Sequence, residues 1–353
     1  KRQAWSRSKR GCLVYGADDA DIPLWRNTFL ERRVKEDIQS RLDEQGLQRS
    51  TAGILEYIRR SGVQAFSIPY KQFIKTLSRA PETSRREAEL TSNIMATAAS
   101  CALLGFPQKH LLGALQKIFA DRSHVLSTNQ RAMDLAYEFV SAEYGLGACR
   151  IPMPDGKTGL PRLLLNGTQS AALGKLAAGM GFQSYYPISP ASDESAFLEE
   201  HATIPLQNGQ QGGPLVVQTE DELSAIAMAC GAALTGVRSA TATSGPGFSL
   251  MTEGLGWAGM NEVPIVITHY QRGGPSTGMP TRTEQGDLQF VIHAGHGEFP
   301  RMVLASGDLV ECFHDAAQAF NYAERYQMPV IHLLDKALTS TVQTVPHFDM
   351  NSV

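Results

Sequence analysis

Apolar and polar positions give the chain two different rhythms. In the first stretch Leu30, Val34, Ile38 and Leu42 recur at helical spacing and predict a helix over residues 29–47, while short apolar runs at 11–16 and 63–68 predict buried strands. Three more helices are predicted over 88–104, 107–119 and 128–144, the last with Ser127 or Thr128 placed to cap it. From residue 162 the pattern alternates. Strands are predicted over 162–166, 183–186, 215–218, 239–243, 263–269 and 330–334, with helices over 168–180, 192–201, 220–234, 248–260 and 308–326. Such alternation builds a parallel sheet covered by helices on both faces.

Between the two rhythms Gly145, Gly147, Pro152, Pro154, Gly156, Gly159 and Pro161 break any periodicity. The predicted organisation is an α/β domain over 1–145, a linker over 146–162, a parallel-sheet domain over 163–340 and the start of a following segment over 341–353. The chain opens on Lys1-Arg2 rather than methionine and stops soon after the strand at 330–334, so it reads as part of a longer polypeptide, with a cleaved leader left open.

Composition narrows the function classes. With 353 residues, 42% of them hydrophobic, the chain is long enough for about two cores. The net charge is −3 with both signs intermixed, which argues against a nucleic-acid face or a polybasic membrane patch. No apolar run reaches the roughly 18 residues of a membrane span, and no charged-then-apolar leader is present. Expected partners are therefore proteins and small molecules in a cytoplasmic setting. The five cysteines, Cys12, Cys101, Cys149, Cys230 and Cys312, form no C-x-x-C pair and are expected to be reduced thiols. His269, His293 and His296 lack a helical H-x-x-x-H pair, so no metal site is predicted.

Several segments at predicted strand ends carry chemistry. Thr219-x-x-Glu222 ahead of an apolar run has the spacing of a capping box. Glu222 also adjoins the predicted buried stripe of Leu223, Ile226, Ala227, Cys230 and Leu234, where a carboxyl group would be partly desolvated and raised in pKa. Ser244-Gly245-Pro246-Gly247 is a strand-to-helix turn suited to a negatively polarised group, and Ala242 rules out a G-x-S-x-G nucleophile elbow. Gly156-Lys157-Thr158 is no P-loop, because Ile151 stands where the first glycine belongs. Tyr186-Pro187-Ile188-Ser189-Pro190-Ala191-Ser192 reads generically as a stiff loop with Ser192 as a cap. Arg272 and Arg282 would by default be solvated charges, but a loop arginine after a strand can grip a carboxylate through its planar fork.

Taken together, the segments 186–192, 220–231, 241–247, 254–264, 271–281 and 284–288 resemble the α subunit of the 2-oxoacid:ferredoxin oxidoreductases, specifically its thiamine-diphosphate pyrimidine-binding domain. The likeness covers about 163–335, and residues before the linker look like part of the family's smaller α/β γ domain, with 93–105 and 129–144 as its telling helices. The order is that of a fused γ–α chain. The resemblance implies that Glu222, nine residues before the helix glycine Gly231, bonds the pyrimidine N1′. A carboxyl group sharing a proton there favours the imino form of the 4′-amino group, which can take the thiazolium C2 proton.

By the same resemblance Tyr186, Ser189, Arg272 and Arg282 would bind the 2-oxoacid, and Pro187, Ile188, Ser244, Gly245 and Pro246 would adjoin the cofactor. Ser189 replaces the family's threonine, and Ala191 a small hydroxyl residue. Neither Gly286-Asp287-Leu288 nor Gly307-Asp308-Leu309 supplies the Gly-Asp-Gly motif that anchors Mg²⁺-diphosphate, and the clustered cysteines of an iron-sulfur centre are missing. Mg²⁺ and a 4Fe–4S cluster are thus expected on a β subunit, in an (αβ)₂ assembly that takes coenzyme A as co-substrate and passes electrons to ferredoxin. The expected reaction is oxidative decarboxylation of a 2-oxoacid, with 2-oxoglutarate favoured. The alternatives are the pyrimidine domain of another thiamine-diphosphate enzyme, or a non-catalytic scaffold subunit.

Overall fold

The computed structural model describes residues 11–19, 22–26, 30–150, 159–205, 209 and 211–353. Lys1-Arg2, Phe29 and the stretch 151–158, which includes much of the predicted linker and Gly156-Lys157-Thr158, lie outside the described residues. The chain divides into two compact units, Lys1–Gly156 and Lys157–Val353.

The first unit contains β1 (Cys12–Gly16), α1 (Arg32–Glu44), α2 (Thr51–Arg60), β2 (Gln64–Ile68), α3 (Tyr70–Leu77), α4 (Arg85–Leu90), α5 (Ser92–Leu104), α6 (Gln108–Ile118) and α7 (Ser123–Glu143). β1 and β2 pair in parallel. Alanines 98, 99 and 102 of α5 and 132 and 136 of α7 are fully buried or nearly so, and they let the two helices pack closely around Met95, Met133 and Val140. Sequence reading missed α2 and α3. It also joined α4 to α5, which separate at Thr91, whose hydroxyl donates to the Ala88 carbonyl. α7 begins earlier than predicted: Thr128 is no cap but an interior residue that donates to the His124 carbonyl. Cys12 and Cys149 are joined as a disulfide, correcting the expectation of five reduced thiols, while Cys101, Cys230 and Cys312 are free.

The second unit runs β3 (Arg162–Leu165), α8 (Gly167–Ala177), β4 (Phe182–Tyr185), α9 (Ser192–Glu200), β5 (Ile204–Pro205), β6 (Gln211–Gly212), β7 (Leu215–Gln218), α10 (Glu222–Ala233), β8 (Ser239–Ser244) and α11 (Pro246–Met260). It continues through β9 (Ile265–Gln271), α12 (Leu288–His293), β10 (Met302–Ala305), α13 (Leu309–Tyr326), β11 (Val330–Asp335), α14 (Lys336–Ser340) and β12 (Gln343–Pro346). Six strands form one parallel sheet in the order β10-β11-β9-β8-β4-β7. Its centre is dry on both faces, every residue of β8 and β9 being buried. Ile265 and Ile267 pack with Ile226, Phe248 and Leu255 on one face, and Val266 with Ala172, Leu198 and Phe320 on the other.

Two predictions change here. β3 is not in the parallel sheet but pairs antiparallel with β12, a partner far along the chain. Residues 343–346 therefore belong with this unit rather than starting another segment, and Phe348 stacks on Phe313 of α13 at 4.0 Å. The short edge strand β10 went unpredicted. From β4 the chain crosses to β7 on one side and then returns past β4 to β8 on the other, so a topological switch lies between β4 and β8. Open α/β sheets bind ligands at the carboxyl ends of their strands at such a point.

Candidate functional site at the carboxyl edge of the sheet

Four adjacent strands, β7, β4, β8 and β9, end on this edge and deliver the segments singled out in the sequence. After β7, the Thr219 backbone N–H and hydroxyl both donate to the Tyr185 carbonyl, and the hydroxyl also reaches the Asp221 carbonyl. The α10 N-cap is Asp221, whose carboxylate accepts from Ser224 N at 2.7 Å and is thereby held below the usual carboxylate range. The capping box expected from Thr219 and Glu222 does not form. Glu222 stands at the first helical position with no capping duty, 5% exposed, and burial pushes its carboxyl pKa up while a backbone N–H opposes the shift.

The α10 stripe is rotated from the predicted one by one residue, about 100° around the helix. Glu222, Ala225, Ile226, Ala229, Cys230 and Ala233 are buried, whereas Leu223 and Leu234 are 47% and 63% exposed. The helix is apolar nearly all round, so periodicity alone gives no orientation.

The turn from β8 into α11 is shaped by two glycines. Gly245 has φ +50°, a conformation glycine adopts without strain, and Gly247 allows a close approach. A Cβ on Gly247 would lie 2.3 Å from Thr243 Oγ1 and 2.4 Å from Glu222 Oε1; one on Gly245 would lie 3.0 Å from Arg272 Nε. A buried carboxyl group and a buried guanidinium therefore flank one turn, two residues apart. Thr243 Oγ1 is buried without a hydrogen-bond partner, an arrangement that native proteins rarely leave unexplained. Ser244, in contrast, donates to the Tyr270 carbonyl at 2.7 Å.

Arg272, only 5% exposed, donates from Nη1 to the Ser189 carbonyl at 2.5 Å and from Nη2 to the Thr277 carbonyl at 3.0 Å. Its Nε is buried and unpartnered, and burial lowers its pKa from the usual value. Those two bonds use two of the five N–H groups of the fork. Ser189, Tyr186 and Pro187 are exposed and Ile188 is half-buried against the core, so the loop after β4 presents its polar groups outward. Arg282 is exposed; its carbonyl accepts from Gly273 N at 3.0 Å, which ties its backbone to the Arg272 loop.

His269 pairs in register with Thr243 across the β8–β9 ladder. Its Nε2 meets Asp287 Oδ2 at 2.9 Å and its ring packs against Phe248. Among the described residues no group of three or more His, Cys, Asp or Glu side chains is arranged to hold a metal ion.

A buried acid and a buried guanidinium facing one glycine turn, beside a topological switch point, define a doubly wound α/β ligand-binding domain. The family description "Pyruvate flavodoxin/ferredoxin oxidoreductase, thiamine diP-bdg" matches residues 173–353, and "Pyruvate ferredoxin/flavodoxin oxidoreductase" matches 10–139. The chain belongs to this oxidoreductase family.

It is 45% identical over 341 residues to a 2-oxoacid:ferredoxin oxidoreductase subunit alpha of Saccharolobus solfataricus, covering 95% of this chain and 52% of that protein. It is 42% identical over 172 residues to the 2-oxoglutarate synthase subunit KorA of Methanothermobacter marburgensis, covering 49% of this chain and 44% of that protein. A solved structure of 2-oxoglutarate:ferredoxin oxidoreductase from Magnetococcus marinus, with 2-oxoglutarate, coenzyme A and succinyl-CoA bound, is similar with TM-score 0.71 and 32% identity, over 99% of this chain and 53% of that one. The chain thus spans about half the length of the relatives it matches most fully.

Proposed function

We propose that the chain is the γ–α portion of the α subunit of a 2-oxoacid:ferredoxin oxidoreductase that oxidatively decarboxylates a 2-oxoacid, 2-oxoglutarate in first place, with coenzyme A. The products are the acyl-CoA, CO₂ and reduced ferredoxin. The observation that carries this reading is the Glu222 carboxyl, buried against Gly247 and beside the unpartnered Thr243 hydroxyl at the carboxyl edge of the sheet.

Those groups fit the pyrimidine of thiamine diphosphate: a recessed acid to share a proton with a ring nitrogen, a spare hydroxyl and a glycine that leaves room. When bound, the cofactor supplies the carbon nucleophile and the electron sink for decarboxylation. Glu222, raised in pKa by burial, holds a proton at its carboxyl more readily than a solvated glutamate does. Pro187, Ile188 and the 244–246 turn line the cofactor side. Arg272, with Nε–H and further N–H groups unused, receives the substrate carboxylate; Ser189 and Tyr186 approach it from the β4 loop, and Arg282 serves a distal carboxylate.

Mg²⁺ and a 4Fe–4S cluster are assigned to a β subunit in an (αβ)₂ assembly. Supporting such a partner, Leu223, Leu250, Trp257 and Met260 are each at least 45% exposed on α10 and α11, beside an apolar groove of about 410 Å³ lined by Leu223, Cys230, Gly254 and Trp257. The reading includes a cytoplasmic setting; among the described residues no helix is long and apolar enough to cross a membrane.

The test is Glu222→Ala in the assembled enzyme, assayed for 2-oxoacid-dependent electron transfer across several 2-oxoacids. Turnover should fall by ~10²- to 10⁴-fold while the subunits remain associated. Near-normal turnover rejects the assignment.

A further inference from the structure

A buried polar cluster lies on the α8–α9 face of the sheet, below the segments that hold Arg272 and Ser189. Its centre is Glu194, in the first turn of α9 and fully buried. Lys175 of α8, also fully buried, ion-pairs with Oε1. Gln183 of β4 donates to the same oxygen at 3.1 Å and to Ser195 Oγ at 2.9 Å, and it accepts from Lys175 Nζ at 2.9 Å. Tyr270 of β9 donates its hydroxyl to Glu194 Oε2 at 2.5 Å. Burial pushes the Lys175 pKa down against the pull of Glu194, and it pushes that of Tyr270 well up.

Buried ion pairs seldom stabilise a fold more than well-packed apolar side chains would, so stability is a weak reason to have one. Position gives a better reason. Glu194 lies five residues after Ser189, and Tyr270 lies two before Arg272. The Arg272–Ser189 hydrogen bond thus spans two segments that one carboxylate fastens together from beneath. Tyr270 is held at its other end as well, through its carbonyl to Ser244.

We infer that Glu194 is a positioning residue for substrate recognition, setting through Tyr270 and α9 the spacing between Arg272 and Ser189. The inference rests on the reading that this pair meets the 2-oxoacid. Tyr270→Phe removes one oxygen and leaves the Lys175–Glu194–Gln183 contacts in place. In the assembled enzyme it should raise KM for the 2-oxoacid ~10-fold, the effect of about one lost hydrogen bond, with kcat within about twofold and KM for coenzyme A unchanged.

The paired variant Glu194→Gln with Lys175→Met keeps an acceptor for the Tyr270 hydroxyl and should retain the native KM, whereas Glu194→Ala with Lys175→Met should not. That comparison also decides the matter if Tyr270→Phe fails to assemble. Arg272→Lys is the reference. If it raises KM while both the Tyr270→Phe and Glu194→Ala variants leave KM unchanged and only lower the melting temperature, the cluster is structural and the inference falls alone. If Arg272→Lys leaves KM unchanged, the substrate role of Arg272 falls and the inference falls with it.

Discussion

Gly247→Ala perturbs the candidate site by a single methyl group and measures how closely Glu222 must be placed. The new Cβ would sit 2.4 Å from Glu222 Oε1 and 2.3 Å from Thr243 Oγ1, about 1 Å inside ordinary contact. Something has to move, and the carboxyl tip is less constrained than the α11 backbone. Overpacking of this size costs ~1–3 kcal/mol of stability, while displacing a catalytic group by about 1 Å can cost ~100-fold in rate. The expected outcome is a folded, assembled enzyme, modestly lower in melting temperature, with turnover down ~100-fold. The assay is 2-oxoacid-dependent reduction of ferredoxin beside a thermal melt. Adding Thr243→Ala removes one of the two clashes, so part of the stability should return while turnover stays low. A folded Gly247→Ala enzyme with near-normal turnover would refute the placement of Glu222 against this glycine.

Two further predictions concern proton linkage. Because the folded chain holds the Glu222 proton more tightly than the unfolded chain, wild-type stability falls as pH rises from the ordinary value of 4.5 through the raised one. Glu222→Gln should therefore be the more stable protein at pH 7, with the difference vanishing below pH ~4; a gain independent of pH in urea unfolding would contradict this. His332, fully buried and bonded through Nε2 to Ser306 Oγ at 2.8 Å, has its pKa pushed down to about 3 by burial, with Lys175 adding to the effect. Stability should be lost as pH falls from 6.5 toward that value, and His332→Gln should flatten this acid limb by an amount on the order of 4 kcal/mol, whereas an unchanged slope would show that the imidazole is not held neutral.

The parallel sheet was legible in the sequence because short strand-length runs, largely apolar in β9 and β11 and of small alternating residues in β8, lie between helices of ordinary length. What failed was set by contacts distant along the chain. β3 reads as a first strand of the sheet, yet its partner is β12, distant along the chain, Leu163 pairing with Val345. The face of α10 was misjudged because Glu-Leu-Ser-Ala-Ile-Ala-Met-Ala-Cys-Gly-Ala-Ala offers apolar residues in every direction.

Glu222 stood out through the family resemblance, which implies a glutamate nine residues before the helix glycine, but its freedom from capping depends on Asp221, one residue earlier, taking the cap. The closeness of Arg272 to Gly245 and Ser189 was only partly visible. Its place after a strand suggested a role, whereas its burial follows from loop geometry that no local pattern encodes. Lys175 was the clearest missed signal: a lone lysine among the alanines, glycine and leucine of α8 marks a buried charge, but its partner Glu194 looks from sequence like an ordinary first-turn acid. Thr243 ends the predicted strand over 239–243 with no local sign of a role, and only the structure exposes its unpartnered hydroxyl.

The central claim is that Glu222 meets the pyrimidine ring of thiamine diphosphate. The most direct test is a structure of the assembled enzyme with that cofactor bound. The account predicts a Glu222 carboxyl oxygen within about 2.6–3.2 Å of the ring nitrogen N1′, with Gly247 against the carboxyl group. A ring whose N1′ faces another side chain or solvent, with Glu222 turned away, would contradict it.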